Sequence, residues 1–388
     1  MKFELTAEQR AFQREVAAFL ATEIPPGRFY EESRQSPEQK QELDRFLKAL
    51  ADKRWLAISW PVEYGGAGLS TVHHAIFNEQ MGYHKAPNEA LVPVTIIGPA
   101  ILHFGTEAQK REHLGRITRG EGVYWQLFTE PEAGSDLASL QTRAIRDGDD
   151  FVVNGQKIFV GDGREPDYFY LAARTDPDAP KHRGISIFLV DARTPGITVH
   201  KLDPVAGWAK NQVFFDDVRI PASALMGQLN NGWSHMRDTL SVERSGIYSN
   251  GELRRSLEEL IEVCRHLRRD GRPVLDYDWA QDLLADLLIE LEAWRLLCWR
   301  IVHLQSIGAP INAEASVVAI HRKAFFPLFQ NAVYRLTGSY ALFHRTSPLA
   351  LAGGDLEMWQ REAIHTHSAG TPEIQRNIVA IRGLGLPR

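Results

Sequence analysis

The sequence predicts an α+β multidomain protein in three parts: an N-terminal helical domain over residues 1–121, a middle β-barrel domain over 122–230 and a C-terminal four-helix bundle over 231–388. Two observations carry this. Apolar residues recur at helical spacing in both flanks and at short period in the middle, where Asp, Pro and Gly punctuate the runs. The 388 residues also exceed a single domain of roughly 100–200 residues.

In the first part, Thr6 and Gln9 have capping-box spacing ahead of Phe12, Val16, Phe19 and Leu20, a stripe that stops at Ile24-Pro25-Pro26. Further helical patterns cover 38–56, 69–82 and 107–118, separated by turn-rich stretches such as 61–68. In the middle, 151–160 reads as a hairpin turning at Asn154-Gly155, a pair suited to a type I′ turn. Four more strands fall at 168–173, 184–190, 197–202 and 213–220, enough for a small barrel or sandwich. Beyond Gly232, Leu253, Leu257, Leu260, Ile261, Cys264 and Leu267 share one helix face, and Leu284, Leu287, Leu288, Leu291 and Trp294 another. Plain core packing accounts for both stripes.

Composition excludes several function classes. Apolar residues at 44% and charged residues at 24% are those of a globular protein. A net charge of −5 offers no basic field for nucleic acid. The opening MKFELTAEQR lacks a signal pattern and nowhere do about 18 apolar residues run together, so the expected location is cytoplasmic, away from membranes. Cys264 and Cys298 sit in helical stretches and read as buried thiols in a reducing compartment. His73-His74 and His365-Thr366-His367 lack the spacing of a zinc site, so no metal is expected. No nucleophile elbow, Walker loop or Rossmann fingerprint is present.

The densest turn chemistry is Thr129-Glu130-Pro131-Glu132-Ala133-Gly134-Ser135-Asp136, whose hydroxyls and glycine-supported backbone suit an electron-poor ring or a phosphate. By itself it also reads as an ordinary strand connection. The stretch 369–376 reads as a glycine-entered helix start with Pro372 at the first position.

Together the domain order, the 129–136 segment, Trp60 to Gly68, Asn154 to Lys157 and the Gly-Thr-x-x-Ile-Gln-Arg of 370–376 resemble the acyl-CoA dehydrogenase family of flavoproteins, over nearly the whole chain. The resemblance implies FAD between the β domain and the bundle, and an acyl-CoA thioester stacked on the flavin. A carboxylate takes the α-proton while the β-hydrogen leaves as hydride to the flavin, and donors polarise the thioester oxygen. Electrons then pass to an electron-transfer flavoprotein.

Carried over by position, Phe128, Thr129, Gly134 and Ser135 would contact the flavin's pyrimidine edge and pyrophosphate, with Phe159, Gly161, Thr371 and Glu373 also beside the cofactor. Many members place the base directly before the final Gly-Thr; here that place holds Ala369. Val242-Glu243-Arg244 instead resembles the arrangement in which the bundle helix carries the base, which makes Glu243 the base and Arg244 its neighbour on the thioester arm. The backbone of Ala369 and Gly370 would contact the substrate, the N–H of 369 donating to the thioester oxygen. Three departures stand out. Phe159-Val160-Gly161 lacks the family's hydroxyl near the flavin N5. The Gln-x-x-Gly-Gly-x-Gly segment survives only as the glycines of 351–355. The cross-subunit Arg-x-x-Phe-Gly is reduced to 267–271, where Arg268 substitutes in part.

The retained intrasubunit contacts and missing cross-subunit ones, with a 175–184 loop resembling that of actinobacterial side-chain-degrading dehydrogenases, point to a homo- or heterotetramer with a related chain acting in fatty acid or sterol side-chain degradation. The alternatives are a non-catalytic partner subunit and a same-fold flavoenzyme with other oxidation chemistry.

Overall fold

The computed structural model describes the chain except residues 1–3, 25–35, 88–91, 162–163, 205–209, 238, 240–249, 312, 363–366 and 388. It divides into two compact units, one formed by 1–29, 70–86 and 244–388, the other by 30–69 and 87–243.

The second unit holds the β-sheet. Its strands are β1 (Tyr124–Leu127), β2 (Arg143–Asp147), β3 (Asp150–Val160), β4 (Tyr168–Arg174), β5 (Ile185–Asp191), β6 (Ile197–Leu202), β7 (Lys210–Pro221) and β8 (Leu225–Met226). They pair in the order β6-β7-β3-β2-β4-β5-β8, with β1 parallel to β4 at the register Tyr124 with Tyr168. The expected barrel is not closed: the path ends at β6 and at the two-residue β8, which do not pair. All seven residues of β4 are buried, which is why it reads as a continuous apolar run. Trp125, Leu127, Val153, Phe169, Phe188, Val213 and Phe215 form the core of this sheet.

The expected hairpin at Asn154-Gly155 is absent, because β3 runs unbroken through both residues. The turn lies between β2 and β3 at Gly148-Asp149, with Gly148 alone at positive φ (62°), as in a type II′ hairpin. Asn154 instead lies opposite a bulge in β7: Val153 pairs with Val218 and Gly155 with Phe215, so the extra residue falls at Asp216-Asp217, with Asp217 at φ 46°. The Asn154 side chain closes the bulge, donating to the Asp217 carboxylate and accepting from the Asp217 N–H, each at 2.9 Å. A second shift follows between Lys157 and Val160. Strict alternation would bury Phe159 with Phe151, Val153 and Lys157; the shift, with Phe159 at φ 58°, turns it outward to 62% exposure.

The first unit is helical. Thr6 and Gln9 form their capping box and the helix spans Ala7–Glu23. Helices Thr71–Tyr83, Gly251–His266, Asp278–Ser306 and Glu314–Thr337 complete its frame. Leu257, Leu260, Leu284, Leu287, Leu291, Trp294, Phe325 and Phe329 lie in one core. Leu288, expected on that face, is 48% exposed, since the stripe follows 284, 287, 291 and 294. Tyr83 donates to Glu258 at 2.7 Å and Lys85 pairs with Glu259, joining the 71–83 helix to the 251–266 helix. Neither Cys264 nor Cys298 is in a disulfide, and burial pushes each thiol up to about 12. Among the described residues no helix is long and apolar enough to cross a membrane.

A pair of glycine substitutions tests the sheet geometry. At Gly161, φ is 70° and a Cβ would fall 2.3 Å from the Trp125 ring; at Gly148, φ is 62° and the space is open. Gly161→Ala is expected to cost about 2–4 kcal/mol, combining left-handed strain with overpacking, and Gly148→Ala only about 1 kcal/mol. Denaturant unfolding of the two variants measures the difference, and equal losses would contradict the assigned packing.

Candidate active site

The 129–136 segment is shaped by a buried ion pair. Lys157 is wholly buried and Glu130 is 5% exposed, with Nζ and Oε1 2.7 Å apart. Lys157 also donates to the Phe128 carbonyl at 3.1 Å. The Glu130 carboxylate accepts further bonds from the N–H groups of Gln141 (2.5 Å) and Thr142 (2.9 Å). One carboxylate thus ties the start of the segment to β3 and to the entry of β2. Burial pushes the Lys157 ammonium down to about 8 against the pull of Glu130. Burial acts to raise the Glu130 carboxyl, but the Lys157 charge and the hydrogen bonds outweigh it and hold the carboxyl below its ordinary value.

Glu130 and Ala133 exchange backbone hydrogen bonds at 3.1 and 3.3 Å, closing a tight turn over Pro131-Glu132. Beyond it, Arg174 at the end of β4 donates to the carbonyls of Ala138 (2.6 Å), Leu140 (3.3 Å), Lys181 (3.2 Å) and Arg183 (3.1 Å). These bonds bind the far end of the segment to the β4–β5 connection.

Held in this way, the segment projects Gly134, Ser135 and Asp136 into solvent. The Thr129 and Ser135 hydroxyls have no hydrogen-bond partner among the described residues. Gly134 is not at positive φ, and a Cβ added there would meet nothing within 4 Å. The chain's own packing therefore does not call for glycine at this position. The Ile158 N–H donates to the Thr129 carbonyl at 3.0 Å, which sets exposed Phe159 one residue from Thr129 across the sheet. Phe128 is buried and its ring lies 5.4 Å from that of Tyr170. At Gly161, where the resemblance expects a hydroxyl, the Trp125 ring occupies the space a side chain would need.

In the helical unit, Ala369 and Gly370 form a turn with consecutive left-handed residues, φ 51° and 87°. Thr371 caps the helix Pro372–Ile378, its hydroxyl accepting from the Ile374 N–H at 3.3 Å. Glu373, in the first turn, is exposed, and hydrogen bonds from its own N–H and from Thr371 hold its carboxyl below the ordinary value. The Ala369 N–H has no acceptor among the described residues. Arg268 lies on a two-stranded hairpin whose turn is Asp270-Gly271, both at positive φ; its guanidinium donates to the Gly271 carbonyl at 3.0 Å and is exposed. Gly353 and Gly354 both have positive φ, and a Cβ on Gly354 would fall 2.3 Å from Arg345. Glu243 and Arg244 lie outside the described residues. Among those described, no group of three His, Cys, Asp or Glu side chains could hold a metal.

The chain matches the family models described as acyl-CoA dehydrogenase, N-terminal domain, over residues 6–121, middle domain over 126–218 and C-terminal domain over 230–384. It belongs to the acyl-CoA dehydrogenase family. The acyl-CoA dehydrogenase FadE26 of Mycobacterium tuberculosis is 33% identical over 404 residues, covering the whole chain and 99% of that protein. Among solved structures, a chain of the ChsE4-ChsE5 complex from Mycobacterium tuberculosis superposes with a TM-score of 0.89 at 32% identity, with full coverage of both chains. A chain of the Tcur3481-Tcur3483 steroid ACAD gives 0.90 at 32% identity, again with full coverage of both.

Acyl-CoA dehydrogenases are FAD-dependent oxidoreductases, and the middle domain's residues fit that cofactor. Two free hydroxyls, a glycine with open space at its Cβ and an exposed aromatic ring beside them suit a flat, hydrogen-bonding ring system with an attached phosphate. Sequence reasoning assigned no role to Glu130, Lys157 or Arg174. Their signal is a charged residue at an inward position: Lys157 falls on the buried face of β3 and Arg174 closes a wholly apolar strand.

Removing one partner of the buried pair leaves the other charge uncompensated, so Lys157→Met is expected to cost about 3–5 kcal/mol. A thermodynamic cycle with Glu130→Gln measures the coupling, and additive losses would contradict it. Because the folded Glu130 value lies below its ordinary 4.5, its ionised form adds stability that is full above that value and lost as pH falls through the folded one. The stability gap between wild type and Glu130→Gln should therefore close on acidification. Lys157 acts in another window. Its folded value of about 8 lies under the ordinary 10.5, so the cost of burying the ammonium is full below 8 and eases as pH rises.

Proposed function

We propose that the chain binds FAD and introduces an α,β double bond into a bulky, sterol-side-chain type of acyl-CoA thioester, as one subunit of a heteromer with a related chain. The observation that carries the reading is the cluster of Thr129, Gly134, Ser135 and Phe159, prepared for a ligand that nothing in the chain replaces. Thr129 and Ser135 hydrogen-bond the cofactor, Gly134 lets it approach the backbone, and Phe159 gives an apolar face. FAD, when bound, supplies the acceptor for the β-hydrogen. Glu243 takes the α-proton, Arg244 orients it, and the Ala369 N–H donates to the thioester oxygen. A main-chain donor tolerates alanine at 369, and the small side chain leaves room for a branched acyl group near Cα. Reduced protein passes its electrons to an electron-transfer flavoprotein.

Two similarities support the heteromer and the substrate class: full-length likeness to chains solved as the ChsE4-ChsE5 complex and as the Tcur3481-Tcur3483 steroid ACAD. The exposed Arg268, turned back on Gly271, fits a chain that relies on a related partner for contacts at its cofactor.

Anaerobic addition of a sterol-side-chain acyl-CoA should bleach the flavin absorbance of the protein, alone or with a related partner chain. Failure to take up FAD in either state would overturn the reading. Glu243→Gln should abolish bleaching and α-proton exchange while retaining thioester binding. Combining it with Ala369→Glu should restore part of the activity, within roughly a hundredfold of wild type. Gly134→Val should lower flavin occupancy with no loss of stability in the flavin-free protein, since its Cβ meets no protein atom.

A further inference from the structure

The turn at 368–370 is held from beneath by two buried side chains to which sequence reasoning assigned no role. Lys323, on the Glu314–Thr337 helix, is 5% exposed and its ammonium donates to the carbonyls of Ser368 and Gly370. Gln375 is wholly buried, and its Nε2 donates to the Ala369 carbonyl at 2.9 Å and the Gly370 carbonyl at 3.5 Å. Three successive carbonyls are therefore fixed by these two side chains. In a trans peptide the C=O and N–H point in opposite directions, so anchoring the Ser368 carbonyl on Lys323 turns the Ala369 N–H away from Lys323. By the same geometry the Gly370 N–H points away from Gln375, which holds the Ala369 carbonyl, and the Thr371 N–H points away from Lys323, which holds that of Gly370.

The conformation needs such support. Ala369 at φ 51° occupies the left-handed region, which costs a residue with a Cβ roughly 1–2 kcal/mol, and strained backbone persists only where its surroundings over-determine it. Pro327 lies four residues after Lys323 in the same helix, so the Lys323 carbonyl receives no N–H from that position and the helix departs from a regular ladder there.

We infer that Lys323, aided by Gln375, is a positioning residue for the reaction: it orients the peptide between Ser368 and Ala369 and polarises it, so that the Ala369 N–H is a stronger, fixed donor to the thioester oxygen. The inference rests on the role proposed above for the Ala369 N–H. A cation hydrogen-bonded to a carbonyl draws electron density through the planar amide and makes the opposite N–H a better donor, an effect strengthened in a buried setting. The gain falls in the transition state, where charge develops on the thioester oxygen, rather than in ground-state binding.

The test uses flavin-loaded protein and a 3-thia acyl-CoA with a 13C-labelled carbonyl, whose β-sulfur leaves no β-hydrogen to lose. In wild type the infrared carbonyl band of the bound probe should lie below that of the free thioester. Lys323→Met should lose most of that shift, and kcat on the oxidisable thioester should fall by about tenfold or more, in line with weakening rather than removing an oxyanion donor, with KM little changed. A folded, flavin-loaded Lys323→Met with the wild-type band and kcat within about twofold of wild type overturns the inference. If that variant does not fold, Gln375→Met is read in the same way: a partial loss of shift supports the inference and an unchanged band overturns it. A wild-type protein that turns over thioesters without any carbonyl shift removes the donor role of Ala369, and the inference falls with it. A wild-type protein that neither binds FAD nor bleaches fails at the broader proposal instead.

Discussion

The carboxylate of Glu130, enclosed with the ammonium of Lys157, is the contact on which the middle domain's ligand-facing surface depends. It joins the turn at 130–133, the entry to β2 at Gln141 and Thr142, and β3 through Lys157. A buried ion pair is weak support for stability as such, since desolvation offsets much of the Coulomb gain. Its consequence is specificity of shape: each carboxylate oxygen also accepts a backbone N–H, Oε2 from Gln141 and Oε1 from Thr142, which favours one arrangement of the loop. That arrangement leaves Gly134 and Ser135 exposed and the half-buried Thr129 hydroxyl without a partner among the described residues.

The helical unit uses the same device on a smaller scale. Lys157 anchors the Phe128 carbonyl and Lys323 anchors those of Ser368 and Gly370. In each case a buried lysine fixes main-chain oxygens, and the peptide's opposite edge is presented elsewhere. Both lysines sit on extended scaffold elements, Lys157 on β3 just before its register shift and Lys323 on a long helix one turn before Pro327. Burial lowers the Lys157 ammonium to about 8, and the carboxylate beside it is what keeps it charged at neutral pH.

Much of the architecture was legible in period and punctuation. The capping box at Thr6, the four later strands and the Thr371 cap with Pro372 at the first helical position all follow from local chemistry. What sequence misread were places where one residue shifts a register. Asn154-Gly155 has the composition of a type I′ turn, yet Asn154 spends its side chain on Asp217 in a bulge of the facing strand β7 and the pair stays within β3, while the hairpin moves to Gly148-Asp149. Closure of a barrel depends on whether terminal strands meet, and no local pattern encodes that. Of the candidate site, the motif positions were visible as turn residues with hydroxyls. The residues that hold them were not, because Glu130, Lys157, Arg174 and Lys323 act through burial, and a single charged residue in a motif or an apolar stripe does not announce its partner. Phe159 became exposed through the bulge of β3 between Lys157 and Val160.

The proposed flavin site requires that the buried ion pair form the 128–142 segment in advance, with its open end left for the cofactor. Amide hydrogen exchange along this segment, with and without saturating FAD, tests it most directly. The Gln141 and Thr142 amides, bonded to Glu130, should be protected in both states, and protection at Gly134, Ser135 and Asp136 should appear only with FAD. Fast exchange at 141 and 142 in the flavin-free protein, or no change at 134–136 on adding FAD, would contradict it.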